Sequence, residues 1–112
     1  MMDNPRILYV TTQNREEARR IGNVLVQHRL CACVNILDDM ESMYWWEGDV
    51  HTDTECVLLV KTTAERVKAA TEAILQHHSY DVPCVVSLPL SAAEGNKEYL
   101  QWIRESVANS NQ

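Results

Sequence analysis

The sequence predicts an α+β fold built on an antiparallel sheet, and three observations carry that expectation. Short β-branched and aliphatic runs alternate with segments of helical spacing. Two of the longest runs follow one another with only a turn between them, which implies a hairpin. A further helical pattern follows the last run, so the order reads strand, helix, strand, strand, helix, strand, helix.

Arg6 to Thr12 (RILYVTT) reads as the first strand. Asn14 to Arg29 then switches to helical spacing, with Ala18, Ile21, Gly22 and Leu25 on one face. Asn14 stands where an N-cap is needed, with Glu17 three residues on, and Gly22 on the apolar face implies close approach of helix to sheet. Leu30 to Leu37 (LCACVNIL) reads as a buried strand. The polar stretch Asp38 to Glu41 interrupts it, and Ser42 to Glu47 (SMYWWE) resumes as strand. Glu47-Gly48-Asp49 supplies a turn towards Glu55 to Thr62 (ECVLLVKT), the clearest central strand. Thr62 to Glu65 fits a capping box for a second helix, which carries Val67, Ala70, Thr71 and Ile74 and runs to about His78. Pro83 ends the connection, Cys84 to Leu88 (CVVSL) is a fourth strand, and Asn96 caps a last helix bearing Tyr99, Leu100, Ile103 and Val107. The tail from Ala108 to Gln112 is expected to fray.

The first six elements form the split arrangement of a ferredoxin-like βαββαβ sandwich, with one extra C-terminal helix. Two helices cover one sheet face. Tyr9, Val34, Ile36, Tyr44, Trp46, Leu58 and Val60 bring few charges to the strands, so the other face calls for self-association.

The chain has 112 residues, 46% hydrophobic and 23% charged, which suits one domain over 1–112. No run reaches the roughly 18 apolar residues of a membrane span, and Met1 to Arg6 lacks the layout of a signal peptide. A cytoplasmic protein without a membrane partner is expected. Ten Lys and Arg against 16 Asp and Glu give a net charge of −6, which repels a phosphate backbone and argues against nucleic acid. An acidic surface also concentrates cations, although solubility alone accounts for such a charge. Cys31, Cys33, Cys56 and Cys84 sit in apolar or β-branched runs and read as buried thiols. Cys31 and Cys33, two apart on one strand, stand near the ~7 Å upper limit for a disulfide, so none is expected between them.

The segment His77-His78-Ser79-Tyr80-Asp81-Val82-Pro83-Cys84 concentrates the chemistry, with two imidazoles, a phenol, a carboxylate and a thiol. Neighbouring helical residues diverge by about 100°, so both histidines reach one ion only where the helix has unwound. The competing reading is that they close the helix, where imidazole suits the dipole. Asp81 serves either as a base or ligand or as part of a turn, and Cys84 either as a soft ligand or as a strand thiol. Cys31 and Cys33 have the Cys-x-Cys spacing of some copper(I) sites, against an ordinary place in the core. Nothing reads as a nucleophile elbow or a Gly-rich phosphate loop, so hydrolysis is not expected. Trp45 and Trp46 face opposite sides of a strand, and an inter-subunit contact is the expected destination of at least one. Lys61 ends the third strand, ready for an anion or a carboxylate.

Five segments in register, LCACVNI, SMYWWEG, ECVLLVKT, HHSYDVP and YLQWI, together resemble the CutA family over nearly the whole chain. The resemblance implies a ferredoxin-like subunit, a homotrimer similar in architecture to PII signalling proteins, tolerance to divalent cations, copper binding and no enzymatic activity. It implies a metal site at His77 and His78, to which Cys84 adds a donor, for copper or zinc. It also implies an inter-subunit cleft around Cys33, Tyr44, Trp46, Lys61 and Tyr80, where a small anion or metabolite would bind if the protein were a PII-like regulatory scaffold. Three positions depart from the family pattern: Thr11 replaces a Cys, Ser79 a Pro and Cys84 a Glu.

Overall fold

The computed structural model describes residues 4–108, so the expected fraying beyond Ala108 lies outside the described residues. The elements follow the expected order: β1 (Pro5–Thr12), α1 (Arg15–Gln27), β2 (Cys33–Trp46), β3 (Asp49–Thr63), α2 (Val67–His77), β4 (Val85–Pro89) and α3 (Lys97–Ala108). A short 3-10 helix, Ala64–Arg66, leads into α2. The strands pair antiparallel in the order β2-β3-β1-β4, the ferredoxin-like arrangement with α3 appended.

Period-two alternation sorts the strands into two faces. Leu8 and Val10 of β1 and Leu58 and Val60 of β3 are fully buried with Ala18, Ile21 and Leu25 of α1 and Ala70 and Ile74 of α2. Val34 and Ile36 pack against this cluster, so four of the residues expected on the uncovered face lie under the helices instead. Gly22 permits the close approach: a Cβ there would stand 3.0 Å from Val34 Cγ2. The opposite face carries Ile7, Tyr9, Leu59 and Lys61, and α3 lies against part of it. Lys61 Nζ donates to Tyr99 Oη at 3.3 Å, and Leu100, Ile103 and Val107 are buried.

Several boundaries move for identifiable reasons. Arg29 takes φ +55°, its N–H donates to Val26 O at 3.1 Å, and Leu30 N–H reaches Leu25 O at 2.9 Å. This pair of bonds ends α1 at Gln27 and keeps Leu30 to Ala32 out of β2. Cys31 therefore precedes the strand that Cys33 opens. All four thiols are free, but only Cys31 and Cys56 are buried; Cys33 is half-buried and Cys84 exposed. Thr62 is no cap either. It is buried in β3 and its hydroxyl donates to Leu30 O at 2.8 Å, while Thr63 precedes the 3-10 helix without a side-chain capping bond.

The polar stretch after Leu37 is a bulge within one continuous strand. Leu37 pairs with Val57 and Met40 with Glu55, so β2 advances three residues while β3 advances two. Asp39 absorbs the extra residue at φ +59°. The insertion exchanges odd for even positions: Met40, Tyr44 and Trp46 now share the face of Glu55 and Asp53, and Tyr9 Oη donates to Met40 Sδ at 3.5 Å. Beyond the bulge the hairpin closes through Glu47 and Gly48, both at positive φ, which is the backbone of a tight two-residue loop.

Because a left-handed residue anchors this phase change, Asp39→Gly is expected to keep or slightly raise stability in urea unfolding, whereas Asp39→Val should cost about 1–2 kcal/mol. Equal midpoints for the two variants would contradict the assignment.

Candidate functional site

The site begins at the N-terminus of α1. Asn14 Oδ1 accepts from Glu17 N–H at 2.8 Å, as the capping pattern anticipates. The Glu17 carboxylate turns back, but to Gln13 N–H at 2.9 Å rather than to the cap residue itself. Its other oxygen accepts from Ser79 N–H at 2.7 Å, in the segment after α2. Glu17 is only 3% exposed. Burial by itself would raise its pKa; the N–H bonds from Gln13 and Ser79, the Ser79 side chain and the nearby His78 outweigh it and hold the carboxyl below its usual value. Arg20 adds a cation 3.6 Å from the same oxygen and donates to His77 O at 3.0 Å.

The loop fixed in this way places His78 and Tyr80. The His78 side chain is completely buried. Its Nε2 lies 2.8 Å from Thr11 O and its Nδ1 accepts from Tyr80 N–H at 3.1 Å, a pattern that assigns the proton to Nε2 and leaves neither nitrogen free. The Tyr80 ring stands 4.8 Å from the imidazole, and its hydroxyl donates to Glu55 Oε2 at 2.8 Å. Burial and then the Glu55 carboxylate raise the Tyr80 pKa, so the phenol stays a donor. Tyr44 donates in the same way to Asp53, and that bond raises its pKa too.

These groups surround a cleft of about 390 Å³ lined by Thr11, Tyr44, Trp46, Asp53, Glu55, Tyr80, Asp81, Val82 and Cys84. No Lys, Arg or His is among the described residues that line it. Of the residues singled out in the sequence, Thr11, Tyr44, Trp46, Tyr80, Asp81 and Cys84 come together here. Cys33 and Lys61 pair across β2 and β3, and Lys61 bonds to Tyr99 on α3 rather than lining the cleft. His77 and His78 do not line it. His77 Nδ1 lies 2.9 Å from Ala73 O, and among the described residues no hydrogen bond engages its Nε2. Glu17, Asp53 and Glu55 were missed as site residues. The legible signal was Asp53-Thr54-Glu55, two acids at alternate positions that a longer β3 sets on one face.

The donors suit some cations better than others. Among the described residues, no three His, Cys, Asp or Glu side chains form a ready-made metal cluster. The histidine pair, with His78 fully hydrogen-bonded, does not fit two-point chelation as placed. The cleft lining offers three carboxylates and one thiol, the oxygen and sulfur donor types that cations of different hardness prefer.

A small ferredoxin-like domain with an acidic cleft beside its sheet is the class of protein that fold and site define. The chain belongs to the CutA1 divalent ion tolerance protein family, whose model it matches over residues 6–106. It is 45% identical to the divalent-cation tolerance protein CutA of Thermus thermophilus over 101 residues, covering 90% of this chain and 96% of that one. The chloroplastic protein CutA 1 of Oryza sativa is 42% identical over 93% of this chain. The chain spans 58% of that relative's length and 56% of the chloroplastic CutA of Arabidopsis thaliana. The solved structure of the Thermus thermophilus protein superposes with a TM-score of 0.88 at 43% identity, covering 93% of this chain and 99% of that one. That of the periplasmic divalent cation tolerance protein CutA from Archaeoglobus fulgidus gives 0.87 at 38% identity, covering 92% and 98%.

Glu17→Gln tests the anchor. With the native pKa below the usual 4.5, the carboxylate's contribution is complete above that value and is lost as pH falls through the native pKa. Urea unfolding should show the variant less stable by about 1–3 kcal/mol at neutral pH. The two stability curves should converge below pH 4.5. A constant difference down to strongly acid pH would contradict the role.

Proposed function

We propose that this chain is a non-enzymatic, homotrimeric and metal-responsive protein, a single CutA-like domain over 1–112, that receives a divalent or copper ion at the acidic cleft. The observation that carries the reading is the presence of Asp53, Glu55, Asp81 and Cys84 in the lining of one cavity, with no cationic side chain among the described residues that line it. Opposite charge raises the local cation concentration, and the sulfur of Cys84 supplies a soft donor for copper or zinc. Thr11, which stands where the family resemblance expects a Cys, is the neighbour of Cys84: Thr11 N–H donates to Cys84 O at 3.4 Å. The Cys84 thiol therefore stands on the backbone segment next to Thr11, at the same cleft. His77 stands outside the lining of the cleft and is at most a secondary donor to an ion held there. His78 acts by positioning the loop.

Exposed apolar groups on the β2–β3 hairpin, with Trp45 75% and Met43 70% accessible, support assembly with further copies of this chain. Four free thiols suit a reducing compartment, which supports a cytoplasmic location. Among the described residues no helix is long and apolar enough to cross a membrane. The alternative, a PII-like scaffold for a small anion, is less well served, because three carboxylates line the cleft and Lys61 is engaged by Tyr99.

The test is an anaerobic copper(I) and zinc titration of the assembled protein, with sedimentation to establish the trimer and a screen of ester and phosphate turnover expected to be blank. Binding at micromolar or tighter affinity is expected, with Cys84→Ser and Glu55→Gln each weakening it about tenfold. His77→Ala should have a smaller effect and His78→Ala should lower thermal stability more than affinity. Affinity weaker than micromolar, or indifference to all four substitutions, would overturn the reading.

A further inference from the structure

We infer that the same cleft accepts a small organic cation, namely a short aliphatic diamine in its diammonium form. This goes beyond the metal reading and requires neither Cys84 nor His77. The volume of about 390 Å³ lies in the range of small-molecule sites, which is far more than one ion needs. Three aromatic rings, Tyr44, Trp46 and Tyr80, line it together with the three carboxylates. Aromatic faces beside acids are the chemistry that recognises ammonium groups: the ring quadrupole attracts the cation and the carboxylate takes its N–H bonds.

The arrangement also favours separated charges over a single one. Asp53 and Glu55 lie two apart on β3 and point to one face, which sets them about 7 Å apart, the reach of two ammonium groups joined by a four-carbon chain. Each carboxylate is held by a phenol, Asp53 by Tyr44 and Glu55 by Tyr80, so the acids are oriented before a ligand arrives. Among the described residues no three potential ligands gather tightly around one point, as a bare metal ion would need. Methylenes between the charges would pack on the Trp46 indole, which is 54% accessible.

Isothermal titration of the chelator-treated assembled protein with 1,4-diaminobutane tests the inference, alongside 1-butylamine and uncharged 1,4-butanediol. The diamine should bind at millimolar concentration or below and weaken with added salt, the monoamine should bind about tenfold more weakly, and the diol should give no signal. Glu55→Gln, which keeps an acceptor for Tyr80, and Trp46→Ala should each weaken the diamine about tenfold. Should sedimentation find Trp46→Ala altered in assembly, Glu55→Gln decides alone. Diol binding equal to that of the diamine, diamine affinity unchanged in Glu55→Gln, or no heat at millimolar diamine would overturn it. Since chelator removes metal throughout, failure of the metal reading leaves this result standing, and the converse holds as well.

Discussion

The Glu17 carboxylate is the constraint on which the rest of the site depends. It is nearly inaccessible to water, and its two oxygens are divided between Gln13, just before α1, and Ser79, just after α2. A buried charge of this kind is tolerated only where several donors converge on it. By holding Ser79 it fixes the direction in which the chain leaves α2. That in turn settles His78 against Thr11, Tyr80 against His78 and, through the Tyr80 hydroxyl, Glu55 at the cleft. The anchor and the cleft-facing acid are thus linked by a short series of hydrogen bonds and one ring contact.

A second constraint is geometric. One extra residue in β2 turns Tyr44 and Trp46 onto the face that Asp53 and Glu55 occupy. Without the bulge, alternation would send those aromatic rings to the other side and leave the acids alone. The cleft therefore combines one wall made by strand phase with another made by a buried polar network, and its aromatic and acidic character follows from their meeting.

The element order and two of the helix caps, Asn14 and Asn96, were legible in the sequence because each rests on local chemistry: spacing, a short polar side chain, a missing donor. The misreadings arose where tertiary context overrode a local pattern. Asp38 to Glu41 looked like an interruption because alternation cannot distinguish a bulge from a loop. Thr62 matched a capping motif, but its hydroxyl was already committed to Leu30, distant in sequence. At the site, Tyr44, Trp46, Tyr80 and Cys84 stood out by residue type. Glu17 could be read only as a helix-capping acid, since its bond to Ser79 spans 62 residues. The two histidines drew notice by adjacency, yet α2 ends between them: His78 is hydrogen-bonded through both nitrogens, while His77 bonds through Nδ1 to its own helix.

The central claim is that the cation site is the acidic cleft rather than the histidine pair. Crystals of the assembled protein grown with manganese(II) or cobalt(II) would test it most directly, through an anomalous difference map. The account predicts a peak inside the cleft, bound directly or through water to Asp53, Glu55, Asp81 or Cys84. Peaks confined to His77 and His78, or a cleft without one at saturating metal, would contradict it.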